Sequence, residues 1–74
     1  GADWPRLQPL FAYVPPGQRD GLLSVLRRLD AVQREDLAAL AQRLPPQDRD
    51  AFRRELLAVP DGRRRAWLQQ RRER

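Results

Sequence analysis

Large apolar residues return every fifteen positions along this chain, at Leu22, Leu37, Phe52 and Trp67. Other positions keep the same period. Four stretches open on an aliphatic residue (Val14, Leu29, Leu44, Val59) and each places an Arg five positions on, at Arg19, Arg34, Arg49 and Arg64. Repetition of one supersecondary unit predicts a stacked or bundled architecture, the kind that makes binding surfaces. Inside each unit the apolar spacing is helical: Leu22, Val25, Leu26 and Leu29, then Leu37, Leu40, Ala41 and Leu44, then Phe52, Leu56 and Val59. Strand formers are scarce, with four Val and no Ile or Thr, whereas Leu, Ala, Arg, Gln and Glu dominate. The fold class predicted is all-α.

Pro and acidic residues punctuate the pattern. Pro16 and Pro46 suit the first helical position, where the missing N–H had no intrahelical partner and the fixed φ is already helical. Asp30 followed by Gln33 reads as a capping pair, and Asp61 stands near the positive end of the last helix dipole. Helices of about eleven to thirteen residues, roughly 17 to 20 Å, are expected, joined by links so short that neighbours must turn sharply on one another.

The opening stretch departs from the repeat. Pro9 interrupts any helix begun at Trp4, so a turn or short helix is expected over about Gln8 to Tyr13. With Trp4, Leu7, Leu10, Phe11 and Tyr13, this segment reads as an apolar cap on the first repeat, or alternatively as an exposed aromatic anchor. Units one and three share aliphatic-Pro-Pro-x-x-Arg-Asp, which suggests a deeper thirty-residue repeat of two helical hairpins. The predicted organisation is a single domain over 1–74: a cap at 1–13, then four helical repeats over 14–74 in a compact bundle.

At 74 residues the chain is near the size at which one core is only just sufficient. Without Cys there is no disulfide or thiolate metal site, so stability must come from apolar packing. All fifteen basic residues are Arg, and Lys, Asn and Ile are absent, which points to a bacterial gene of high GC content rather than to a function of arginine as such. Nothing approaches the apolar length of a membrane span, and the opening residues lack the features of a signal peptide. The chain is expected to be soluble, with cytoplasm and periplasm both open. The net charge of +5 is concentrated at one end: residues 60–74 hold six Arg against Asp61 and Glu73, leaving nine Arg against eight acids elsewhere. A nearly neutral body is unlike a protein shaped overall to meet a polyanion.

The residue inventory argues against catalysis. One Ser, Ser24, stands in a chain without His, Lys, Cys or Thr, so no activated nucleophile is expected. The acid pairs Asp48 with Asp50 and Glu35 with Asp36 are expected in first turns, where acids stabilise the dipole. No phosphate-binding Gly loop, calcium loop or dinucleotide fingerprint occurs, and neither a metal nor a cofactor is assigned. The periodic Arg, three residues before the large apolar position, is expected to lay its stem along a neighbour and to carry its guanidinium to a carboxylate or to the preceding helix's carbonyl end. As an outward ladder it would instead attract anions, an option weakened by the acids that follow it (Asp20, Glu35, Asp50). In the last unit the acid becomes Arg65, giving Arg63-Arg64-Arg65, then Trp67, Arg71, Arg72 and Arg74. Trp67 occupies the core position of the repeat.

The helix starts Val14-Pro-Pro-Gly-Gln-Arg and Leu29-Asp-Ala-Val-Gln-Arg resemble the Leu-Thr-x-x-Gln-Arg motif of the small helical periplasmic chaperones and stress sensors of the Spy and CpxP kind. Leu44-Pro-Pro-Gln-Asp-Arg and Val59-Pro-Asp-Gly-Arg-Arg, with Arg65-Ala-Trp-Leu, are similar to an uncharacterised proteobacterial domain of unknown function built from repeated Leu-Ser/Pro-Pro-x-x-Arg helices. Related helix openings recur in docking segments of modular synthases. Each resemblance implies protein binding, although the Thr, Met and long helices of the chaperones are missing here.

The sequence thus predicts a non-enzymatic helical docking domain that offers a partner's peptide or helix an apolar groove edged by Arg. Candidate contacts are Phe11, Tyr13, Leu23, Arg53 and Arg54. One alternative is a nucleic-acid accessory domain working through Arg63, Arg64, Arg65, Arg71, Arg72 and Arg74. The other is a chaperone-like or stress-sensing envelope protein.

Overall fold

A computed structural model describes residues 3–74, so the first two residues of the expected cap lie outside the described residues. The fifteen-residue period is visible in the backbone as a repeated joint. Leu29, Leu44 and Val59 are each extended, with φ between −72° and −77° and ψ between 119° and 139°. Asp30, Pro45 or Pro60 follows, also extended, and a new helix begins. Proline disfavours helical geometry in the residue before it, which explains the extended joint in units three and four. Asp30 achieves the same start with its side chain: its carboxylate accepts from the Gln33 N–H at 2.8 Å while the Asp30 N–H donates to the Gln33 side chain at 3.0 Å, the predicted capping box.

Five α-helices result among the described residues. Trp4–Leu7 (α1) continues into a 3-10 turn at Gln8–Phe11. Pro16–Arg28 (α2) and Ala31–Arg43 (α3) follow. Arg49–Ala58 (α4) and Arg64–Arg72 (α5) are each preceded by a 3-10 turn, at Pro46–Asp48 and Asp61–Arg63. Pro9 does not end the helical course begun at Trp4 but tightens it, since the pyrrolidine removes one donor and the turn closes through the Ala12 N–H to the Pro9 carbonyl.

The joint decides the packing. A two-residue extended link cannot fold one helix back along its predecessor, so the chief packing is between alternate helices, α3 with α5 and α2 with α4. The expected hairpins are therefore replaced by an interleaved arrangement. Gly21 serves the second pair, for a Cβ there would come within 3.3 Å of a Leu57 methyl on α4. The α1 segment lies on α3 rather than on the first repeat. Leu7, Leu10, Leu22, Leu37, Leu56 and Leu68 are buried in one core with Phe52, while Trp67 packs against it half-exposed. The radius of gyration is 11.2 Å, close to the roughly 11 Å expected of a packed domain of this length and unlike an extended solenoid.

Candidate functional site

Arginine holds much of this scaffold together. The repeat's Arg realises its expected role in units two and four. Arg34 donates to the Leu29 carbonyl at 2.8 Å and Arg64 to the Val59 carbonyl at 3.0 Å, in each case the C-cap of the preceding helix. Arg64 is 3% exposed and also meets Asp61 at 2.6 Å. Arg43 places its fork on the last carbonyls of α5, those of Arg71 and Arg72, both at 3.1 Å. In units one and three the pattern is not used this way: Arg19 is exposed and Arg49 half-buried, with a buried Nε that has no hydrogen-bond partner.

Of the acids expected in first turns, Asp50 lies in the first turn of α4 and Asp48 in that of the 3-10 turn before it, whereas Glu35 and Asp36 do other work. α3 has no acid in its first turn. Glu35 instead accepts two hydrogen bonds from Arg6, at 2.6 and 2.9 Å, tying α1 to α3, and Asp36 takes Arg72 of α5 at 2.8 Å. The Arg6 guanidinium holds the Glu35 carboxyl below its usual range. Asp61 is likewise lowered, first by its hydrogen bond from Arg64 and then by the charge of Arg28. Asp50 pairs with Arg54, and Ser24 accepts from Arg28. Among the described residues no three possible metal ligands converge, and no helix is long and apolar enough to cross a membrane.

The residues singled out for partner contact differ widely in exposure. Arg53 is 2% exposed, contrary to its expected place at a groove edge. It donates to the Leu10 carbonyl at 3.2 Å, the Ala12 carbonyl at 3.4 Å and the Gln18 side chain at 3.2 Å, joining the N-terminal segment, α2 and α4. Leu23 is half-buried on α2, and Arg54 is exposed beside Asp50. Phe11 lies half-buried with its ring 5.1 Å from that of Trp4. Tyr13 is 95% exposed and holds a φ of +59°, a left-handed conformation that costs a non-glycine residue about 1 kcal/mol or more.

An apolar groove does exist, at a place the candidate contacts did not mark. It lies between the end of α4 and α5, encloses about 660 Å³, and is floored by Trp67 with Ala58, Val59 and Ala66. The repeat explains why it is open. Where units one and two point Val25 and Leu40 into the core, units three and four carry Glu55 and Gln70; where Leu26, Ala41 and Leu56 stand in the first three units, the fourth has Arg71. With these polar substitutions Trp67 remains only partly buried. Arg71 lies over the Phe52 and Trp67 rings, 5.6 and 5.1 Å from their centroids, and is paired with Glu55 at 2.7 Å. Phe52 and Trp67 are themselves 5.5 Å apart. Arg63 stands at the other edge, exposed and, among the described residues, in no ion pair.

Of the six tail arginines, Arg64 is buried, Arg65 pairs with Asp30, Arg71 with Glu55, and Arg72 with Asp36. Only Arg63 and Arg74 are exposed without an ion-pair partner among the described residues. The chain matches no protein-family model, no curated protein and no solved structure.

Proposed function

We propose that the protein is a non-enzymatic docking domain whose α4–α5 groove receives a peptide or helix of another protein. The observation that carries this reading is the half-exposed Trp67, set in an apolar groove with arginines at its edges. Buried aromatic anchors ringed by polar groups are where protein interfaces concentrate their energy. Rigid support adds to the case, because Asp61 holds the groove's rim to Arg64 and Arg28 and so spares a partner the ordering of a loop. Catalysis has less to draw on: the single Ser is engaged by Arg28, and the acids Glu35, Asp36 and Asp50 are each tied to an Arg.

Nucleic-acid binding is the weaker alternative, since four of the six tail arginines serve internal pairs. A peptide-display selection against the folded domain, counter-selected with an Ala66→Phe variant that fills the groove, tests the docking reading. Enriched sequences that bind the parent and not the filled variant are expected. Failure to enrich any sequence, or equal binding to both proteins, contradicts it.

A further inference from the structure

Resting on that docking reading, we infer that the occupant of the α4–α5 groove is a short acidic helix carrying one bulky apolar anchor. The charge pattern sets the sign. Among the described residues Glu55 is the only acid lining the groove, and Arg71 already takes its carboxylate at 2.7 Å. Arg63 is left as an unmet cation at the opposite edge. A partner carboxylate reaching Arg63 removes an uncompensated charge, whereas a partner cation meets only repulsion. The surrounding surface favours the same partner at longer range, since the net charge is +5 and residues 60–74 supply most of it.

Shape and chemistry specify the rest. The partly buried Trp67 ring, bordered by Ala58, Val59 and Ala66, offers apolar area to a Leu or Phe side chain. A helix suits a trough bounded by α4 and α5, because this fold already seats each long helix against another one two units away. Small residues at the wall, Ala58, Gly62 and Ala66, permit close approach of such a backbone; a Cβ on Gly62 itself would meet nothing within 4 Å, so its side of the trough is open. An amphipathic helix with Leu on one face and Glu on the other supplies both the anchor and the charge.

The test uses three helical peptides with the same Leu positions and Glu, Gln or Lys elsewhere, titrated into the full chain carrying Trp4→Phe so that Trp67 is the sole tryptophan. Covering the ring should shift Trp67 emission to the blue. The Glu peptide is expected to bind about tenfold tighter than the Gln peptide at low salt, a difference equivalent to one good charge contact, and the Lys peptide weakest. Added salt should narrow the gap, and Arg63→Gln should reduce it to about threefold or less. Replacing the anchoring Leu by Ala should abolish binding. Equal binding of all three peptides, each still lost with Ala66→Phe, overturns the acidic partner and leaves the docking reading standing. Preference for a proline-broken Glu peptide over the helical one overturns the helix. Absence of any response, or a response unaffected by Ala66→Phe, overturns both the inference and the reading beneath it.

Discussion

Two faces of this molecule carry a tryptophan, exposed at one and partly buried at the other, and they differ in what surrounds it. At the N-terminal face Trp4 is 45% exposed beside Phe11, and the shallow hollow around them, about 510 Å³, is lined by Pro5, Gln8, Pro9 and Ala12, none of them charged. At the α4–α5 face Trp67 stands between an arginine satisfied by Glu55 and an arginine that is not. The first face is fastened from below, by Arg53 to the Leu10 and Ala12 carbonyls, by Arg6 to Glu35, and by the Gln42 side chain to the Arg6 carbonyl. Exposure of an aromatic residue alone therefore distinguishes nothing. On the docking reading proposed above, the unmet charge beside Trp67 does, because it would give a partner an electrostatic gain together with apolar area.

The largest expected effect comes from undoing the fastening. Arg53→Ala leaves the Leu10 and Ala12 carbonyls without their charged donor inside the fold, and a loss of about 3 kcal/mol is expected in urea unfolding, the upper range for hydrogen bonds to charged groups. The Trp4 environment should change while the remaining folded molecules keep the groove. Next in size is Trp67→Leu, which restores the residue of units one and two. A stability loss of about 1–2 kcal/mol is expected, below the cost of truncating a fully buried aromatic, together with a loss of peptide binding of about tenfold or more. If Trp67→Leu bound as well as the parent, the comparison between the two faces would collapse.

Acid sharpens the comparison further, since each face is steadied by one depressed carboxyl. Glu35 and Asp61 have folded-state pKa values below their unfolded ones. Their contribution is therefore fully present above the unfolded values of about 4 and is lost as pH falls through the lower folded values. Stability measured between neutral pH and about pH 2 should decline only in the acid limb. Glu35→Gln should remove the part belonging to the N-terminal face and leave the part due to Asp61. The smallest effect has the opposite sign: Tyr13→Gly relieves a left-handed residue and should raise stability by about 0.5–1 kcal/mol, against the greater freedom glycine gives the unfolded chain. Unchanged or lower stability would mean that the freedom glycine gives the unfolded chain outweighs the strain relieved.

Periodicity made the helices legible because the link chemistry is local. Pro16, the Asp30 and Gln33 capping box, and the aliphatic residue of each joint all act within a few residues of one another. Leu22, Leu37 and Phe52 were readable as core for the same reason. The pairing of alternate helices was not, since it follows from the direction in which a two-residue extended link launches the next helix. Arg53 was misplaced although a signal existed. It occupies the position held by Leu23, Ala38 and Leu68 in the other units, and Ala38 and Leu68 are buried. An arginine at an apolar position of the repeat must find acceptors inside, and two of its acceptors, the Leu10 and Ala12 carbonyls, come from the non-repeating N-terminal segment, which the period cannot describe. The groove was hidden similarly: Glu55, Gln70 and Arg71 break the pattern, and those breaks mark the surface where Trp67 is only partly buried.

Backbone amide shifts of the labelled domain, followed during titration with the Leu and Glu helical peptide, test the central claim most directly. The account predicts changes centred on Ala58, Gly62, Ala66, Trp67 and Gln70, saturating together. Changes centred instead on Trp4 to Tyr13, or spread evenly along the chain without saturation, would contradict it.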